Sequence, residues 1–454
     1  MAVEKSLDRK LKALHANPQA SEFILADAKD ADMAFGIGAP GLSPENHAGQ
    51  TRFRTVQEYR DLIREIARQE LVDIMLMSAS SSEVLTLSER IFENSPVTPA
   101  CRANDAFDVH VVRGGRYTEG IPRPFRTATL DHLQCGKMVC QDAERKLGVD
   151  LGLYSVTFNN RTDDDLLTLE RYREFRLEAE SKGFRHFLEV FNPNIPGQVP
   201  DEPAFVNDMI ARSLAGVTER GRPVFLKVVY NGPQAMEELV AYDSSVIVGV
   251  LGGSAGTTYD AFKLLTEAKK YGARAALFGR KINQAENQFV FIRLLRLLAD
   301  GEISAEEAVR AYHGVLAKLH IKPHRSLEQD MQLQTPVMRY ASTSTQVVVP
   351  AAIPAEVWTG PTAPLSPMVS PWSPSSKKAA TPNKPLVTMS HACLPAPTKA
   401  ATKVSNGCGT SGECHCGCTE KKANLPPFAT MNPQERLRYH LDRIARLLGE
   451  KSPG

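Results

Sequence analysis

The sequence has almost no charge bias: 54 basic side chains stand against 52 acidic ones, a formal net charge of +2 over 454 residues. That balance removes the electrostatic basis for a nucleic-acid or polybasic membrane-surface protein. Long apolar runs are missing too, and none approaches the ~18 residues that a membrane helix needs. The first residues, MAVEKSLDRKLKALHANP, lack the apolar core of a secretory signal. A cytoplasmic enzyme without a membrane span and without nucleic acid as a partner is therefore expected. Between residues 341 and 430 arginine is absent and only three acidic residues occur, yet the segment holds 13 of the 30 prolines, five of the 8 cysteines and both tryptophans. Such Pro/Ala/Ser/Thr-rich sequence buries too little apolar surface to offset the entropy of ordering, and reads as a flexible linker. The chain divides accordingly into one large patterned domain (1–335), a linker (336–431) and a short terminal helix (432–454).

In the patterned region, apolar runs of strand length alternate with amphipathic helical stretches. Strands are expected at 23–28, 72–77, 107–112, 151–157, 186–191, 224–230, 246–251 and 273–278. Between them, YRDLIREIARQ sets Leu62, Ile63 and Ile66 on one face, and YDAFKLLTEAKKYG stops at Gly272. FVFIRLLRLLADGEISAEEAVRAYHGVLAKLH closes the region as two helices. Eight strand–helix units, with continuous rather than alternating apolar strands, predict an α/β fold of the (β/α)8 TIM-barrel type. Function in such a barrel is sought at the C-terminal ends of the strands.

Three places there carry chemistry. Lys227 lies in PVFLKVVYNG, in a run otherwise made of Val, Phe, Leu and Tyr. A lysine stripped of water gives up its proton more readily and attacks carbonyls, the start of Schiff-base chemistry. The alternative is a lysine paired with a carboxylate, which Glu189 on the fifth strand can supply. After the seventh strand, VIVGVLGGSAG sets Gly252, Gly253 and Gly256 before a helix, and after the eighth, ALFGRKINQ sets Gly279 and Arg280. Small residues let backbone N–H groups approach a phosphate and an arginine adds a bidentate fork, although glycine also simply permits tight turns. Asp105 and Asp108, around the expected third strand, are candidates to order substrate hydroxyls or to cap and pair.

These motifs, with FILADAKDADMAFG on strand one, carry a resemblance. The chain from Phe23 to about Leu319 resembles the class I (Schiff-base) aldolase superfamily of deoxyribose-phosphate aldolase, tagatose-bisphosphate aldolase and archaeal-type fructose-bisphosphate aldolase. The resemblance implies an imine on Lys227, a phosphate held by Gly252, Gly253, Gly279 and Arg280, and a strand-one aspartate at Asp27. It implies cleavage or formation of a C–C bond in a phosphorylated sugar, with an aldehyde as product or co-substrate and with no metal or organic cofactor. The archaeal-type enzymes use a tyrosine after strand four as acid/base; here LYSVTFNNRT puts Thr157 or Phe158 at that place, with Tyr154 earlier on the strand. Glu189 is then the other proton-shuttle candidate. Lys29 and Asp30 stand where the relatives have Asp-His-Gly, and Lys29 is expected in a solvent-facing loop. A catalytically silent barrel that binds phosphosugars or serves as a scaffold, or a transaldolase- or thiolase-like enzyme, is the competing reading. Homo-oligomer formation is expected.

The tail segment SNGCGTSGECHCGC sets Cys408, Cys414, Cys416 and Cys418 around His415. Four thiols and an imidazole suit zinc or an iron–sulfur cluster, but C-x5-C-H-C-x-C lacks the spacings of zinc ribbons and ferredoxins, and adventitious metal binding or redox-active thiols are the alternative. Structural disulfides there are disfavoured, since nothing implies an oxidising compartment. In MNPQERLRYHLDRIARLLG, Asn432 and Pro433 fit a helix start, and Leu437, Leu441, Ile444 and Leu448 form one apolar stripe. So short a helix needs a partner. On a long flexible linker it resembles the peptides that recruit enzymes into bacterial microcompartments, with a shell protein as partner of 432–449; packing back on the barrel is the alternative.

Overall fold

The computed structural model describes residues 3–42, 53–105, 112, 115, 119–253, 256–335 and 337. Eight strands pair in sequence order into a closed barrel: β1 (Ile24–Lys29), β2 (Ile74–Met77), β3 (Thr98–Arg102), β4 (Leu151–Thr157), β5 (Arg185–Phe191), β6 (Leu226–Val228), β7 (Val248–Leu251) and β8 (Ala275–Phe278). All pairings are parallel, and β8 returns to β1 with Ile24 opposite Ala275. The TIM barrel read from periodicity is the observed fold.

Helices cover the outside. They are α1 (Ser6–Ala16), α2 (Asp32–Phe35), α3 (Val56–Gln69), α4 (Ala79–Ser82), α5 (Leu130–Cys135), α6 (Thr162–Ser181), α7 (Glu202–Leu214), α8 (Pro233–Tyr242), α9 (Thr258–Lys270), α10 (Arg280–Gln284), α11 (Gln288–Asp300), α12 (Ala305–Lys318) and α13 (Leu327–Asp330). The capping chemistry is local: Thr55 and Glu58 close a capping box on α3, and Ser304 and Glu307 do so on α12. Gly272 after α9 and Gly301 after α11 take positive φ, which stops each helix without a Cβ clash. No helix among the described residues is long and apolar enough to cross a membrane.

Side-chain alternation divides the core in two. Ile24, Ala26, Leu76, Phe187, Phe225 and Leu277 point into the barrel, where the Phe187 and Phe225 rings stack at 4.6 Å. Leu7, Leu11 and Leu14 of α1 belong to the same cluster, so the amphipathic N-terminal helix plugs one end of the barrel. Leu25, Tyr154, Leu188, Val228, Val250 and Phe278 point outward and pack beneath the helices. Burying strands on both faces is why their runs read as continuous apolar sequence.

Seven of the expected strands match within two residues at either end; the third does not. It was placed at 107–112, nearly all of which lies outside the described residues, whereas β3 runs from Thr98 to Arg102. Pro99 disguised it, because a proline in a central strand removes a ladder donor. Here Thr98 N–H donates to Asp73 O on the β2 side at 2.9 Å, so Pro99 turns its missing donor toward β4. The β3–β4 ladder begins only at Cys101, and no bond is lost.

The described residues belong to one compact unit, Met1–Thr343. The linker, the Cys408–Cys418 cluster, the 432–449 helix and Asp108 lie outside the described residues. One disulfide occurs within the barrel domain, Cys135–Cys140, joining the end of α5 to the following loop.

Candidate active site

The register of the sheet aligns four inward-facing positions in one row: Ser155 opposite Glu189, Glu189 opposite Lys227, and Lys227 opposite Gly249. Each lies two residues beyond an apolar inward residue (Leu153, Phe187, Phe225 and Ile247), so the row sits on top of the apolar filling, toward the C-terminal end of the barrel. Lys227 Nζ contacts Glu189 Oε1 at 2.6 Å, and Ser155 Oγ donates to the other carboxylate oxygen, Oε2, at 2.7 Å. All three residues are buried. At Gly249 a Cβ would stand 2.7 Å from the Ala275 Cβ, so this place in the row has no room for a side chain. Lys227 and Glu189 are therefore brought together, on the inner face and at the end of the barrel where chemistry is done.

Ser155 is held in turn. Its N–H donates to Asn104 Oδ1 at 2.7 Å, and Asn104 Nδ2 donates to Ser155 O at 2.9 Å. Next to this clasp, Arg102 ends β3 and pairs with Asp30 at 3.0 Å, with Asp105 at 3.8 Å. Burial pushes the Asp105 carboxyl up, against Arg102 and the Thr127 hydroxyl. Thr157, two residues past Ser155 on the same face, has a buried Oγ1 with no hydrogen-bond partner among the described residues. These polar groups line the same end of the barrel. Arg102 and Ser155 are absent from the sequence-based expectation, and Thr157 enters it only as one of two residues at the tyrosine's place. Arg102 was lost with the misplaced third strand, whereas the two-residue spacing of Ser155 and Thr157 before FNN was a readable sign of a shared face.

Two predicted site residues fall elsewhere. Tyr154 occupies an outward position: its ring stacks on Phe175 at 4.4 Å and tilts against Tyr172 at 5.3 Å, within the helix layer. Its neighbour Ser155 has the inward position, and alternation excludes both from one face. Asp27 shares the outward face of β1 with Leu25, and its carboxylate meets Lys29 at 2.9 Å with both side chains wholly buried. Asp30, not Asp27, is the strand-one aspartate paired with Arg102. Lys29 is correspondingly not a solvent-facing loop residue. Burial pushes the Asp27 carboxyl up and the Lys29 ammonium down, each opposed by the other's charge.

The loops after β7 and β8 are adjacent. A Cβ on Gly252 would come 2.1 Å from the Phe278 ring, and one on Gly279 would come 2.7 Å from Ala28 O. These two glycines let the ends of β7, β8 and β1 close on one another. Gly253 is different, with φ +58° and open space where a side chain would go. The first N–H groups of α9 are already taken, by Asp260 from Thr257 and by Asp330 from Thr258, each at 2.8 Å. A phosphate here would therefore draw on the loops rather than on that helix end. Arg280 lies with its guanidinium 5.1 Å from the Phe35 ring centroid. Lys281 donates to Gly256 O at 2.5 Å, and burial, reinforced by Arg325, pushes its ammonium down to about 8. Among the described residues no group of three or more His, Cys, Asp or Glu side chains is set to hold a metal.

No family model matches the chain, and no curated protein matches it. Solved structures do. An archaeal fructose 1,6-bisphosphate aldolase aligns with a TM-score of 0.45 at 16% identity, over 64% of this chain and 99% of its own. The fructose-bisphosphate aldolase from Slackia heliotrinireducens gives 0.49 at 14% identity, over 67% and 89%. Another archaeal aldolase, solved with its catalytic lysine covalently bound to the carbinolamine intermediate of the substrate, gives 0.44 at 17% identity, over 64% and 100%. At these values the barrel of this chain rests on its own strand pairing, and its chemistry on its own side chains.

Proposed function

We propose that the chain is a class I aldolase that cleaves or forms a C–C bond in a phosphorylated sugar through an imine on Lys227. The observation that carries this reading is the buried row of Lys227, Glu189 and Ser155 at the C-terminal end of the barrel. Passing a proton from Nζ to Glu189 Oε1 leaves a neutral amine whose lone pair adds to the substrate carbonyl; Glu189 returns that proton to the carbinolamine hydroxyl, which leaves as water, giving the protonated imine and a carboxylate again. Glu189 then takes the proton of the β-hydroxyl. The electron pair of the breaking C–C bond moves into the imine, an aldehyde leaves, and an enamine remains. Protonation at carbon and hydrolysis free Lys227. Ser155 keeps Glu189 aimed at the reacting atoms, and Thr157 and the Asp30–Arg102 pair are placed to receive substrate hydroxyls. Gly253, Gly279 and Arg280 hold the phosphate, where binding energy remote from the reacting bond positions the carbonyl.

The test is borohydride trapping with a panel of phosphorylated ketoses and aldehydes, followed by peptide mass analysis. A reduced adduct on Lys227, absent in Lys227→Met, is expected. No adduct with any substrate, or full turnover by Lys227→Met, rules the reading out, and absence of both adduct and turnover favours a binding or scaffold barrel. Trapping together with transfer rather than release of the carbon fragment would make it a transaldolase-like enzyme.

The terminal stripe Leu437, Leu441, Ile444 and Leu448 on its proline-rich linker supports recruitment of the enzyme to a microcompartment shell. A reporter carrying residues 428–454 should then co-localise with shell proteins, and an unchanged distribution would count against recruitment.

A further inference from the structure

The most deeply buried charges in the barrel domain do not belong to the proposed chemistry. Lys29 and Asp27 have no exposed side-chain surface, and they lie on the outer face of β1, away from the Lys227 row. Removing both members of an ion pair from water is costly, and such pairs are often replaceable by apolar residues without loss of stability. A pair kept in this place is better explained by what it holds. Besides its ion pair with Asp27, Lys29 Nζ donates to Asn283 Oδ1 at 2.7 Å and to Gln288 Oε1 at 3.1 Å. The ammonium thereby ties together groups from β1, α10 and α11.

Asn283 passes the connection on. Its Nδ2 donates to Ala39 O at 3.4 Å and to Tyr59 Oη at 3.2 Å. Its carbonyl accepts from Arg54 at 3.4 Å and from Gln288 at 3.3 Å, and Arg54 also reaches Pro40 O at 3.0 Å. Gly41 packs so close that a Cβ there would stand 2.4 Å from Asn283 O. The short helix α10 is thus fastened to the loop that follows β1. Arg280 is the first residue of α10, and Phe35, whose ring its guanidinium covers, ends α2, directly before that loop. One buried ammonium therefore holds both the helix that carries Arg280 and the surface against which Arg280 rests.

We infer that Lys29 is a positioning residue for the phosphate contact of Arg280, acting through Asn283. This rests on the reading of Arg280 as a phosphate ligand. Lys29 touches neither substrate nor reacting atoms; it sets where the guanidinium stands. Loss of Lys29 then appears as a weaker hold on phosphorylated substrate, with the carbonyl chemistry at Lys227 intact.

The experiment compares kcat and KM for a phosphorylated substrate and for its unphosphorylated counterpart. Lys29→Met alone strands the Asp27 charge, so Asp27→Leu/Lys29→Met is made as well, and Asn283→Ala cuts the same link without touching a charge. In the folded variants, the preference for the phosphorylated substrate should fall at least tenfold through KM, with kcat on the unphosphorylated one within about threefold. Adding Arg280→Met to Asp27→Leu/Lys29→Met should cost little more, because both act on one contact. If Arg280→Met lowers the phosphate preference but neither Asp27→Leu/Lys29→Met nor Asn283→Ala does, the positioning role is overturned while the phosphate site stands. If Arg280→Met itself leaves the preference unchanged, the phosphate reading fails and the inference fails with it.

Discussion

Glu189 and Lys227 face each other across the β5–β6 ladder with Oε1 and Nζ 2.6 Å apart, and the second carboxylate oxygen is held by Ser155. A carboxylate so placed can take a proton from the ammonium, and in the proposed reaction it later takes one from a substrate hydroxyl. Glu189→Gln should therefore lower kcat by roughly 10²- to 10⁴-fold, the usual worth of a positioned general base. Imine formation on Lys227 should still be trappable by borohydride. Turnover within threefold of wild type would remove Glu189 from the proton path.

Tyr154 gives the opposite expectation. Its phenol lies in the helix layer with Phe175 and Tyr172, and burial pushes its ionisation well up. Tyr154→Phe should keep kcat and KM within twofold of wild type. A hundredfold loss of kcat in a folded variant would put the tyrosine back in the proton path.

The Cys135–Cys140 disulfide closes a short loop that exposes Met138 and Val139. Closing a loop of about six residues restricts the unfolded chain by about 2 kcal/mol on the chain-entropy model. Cys135→Ser/Cys140→Ser should unfold a few degrees lower than the oxidised protein in a thermal scan, and reductant should lower the wild type to match it. A wild type that does not respond to reductant would show that the bridge adds nothing.

His186 lies on the outer face of β5 with its ring 2.9 Å from Tyr172 Oη. Burial, with Arg176 adding to it, pushes its ionisation down from the ordinary 6.5 to about 3. Below pH 6.5 the unfolded chain takes up a proton that the folded chain refuses until about pH 3, so stability is full above 6.5 and falls as the pH drops. Between pH 7 and pH 5 the wild type should lose about 2 kcal/mol more than His186→Gln, read by urea unfolding at each pH. Parallel losses in the two proteins would mean that His186 becomes protonated without unfolding.

How much of this was legible in the sequence varies from strand to strand. Lys227 and Glu189 were readable because a charge inside an apolar strand has few tolerable places, and their pairing followed from neighbouring strands in register. Tyr154 stands one position from Ser155 and Asp27 three from Asp30, odd offsets that put each on the opposite face. A one-residue error along a strand moves a side chain to the other face, and no composition rule corrects it. β3 was hidden by Pro99, whose cost depends on which side carries a partner strand.

By itself the sequence determined the alternation of eight strands with helices, the barrel, and the identity of the lysine proposed to react. Periodicity and burial dictate these, and both are written along the chain. The tertiary structure decided which side of each strand faces the barrel interior, and so chose Ser155 over Tyr154 and Asp30 over Asp27. It also brought Lys29 to Asn283, 254 positions away, by closing β8 onto β1. A contact of that kind exists only once the sheet has closed, because barrel closure rather than chain proximity places its two ends together.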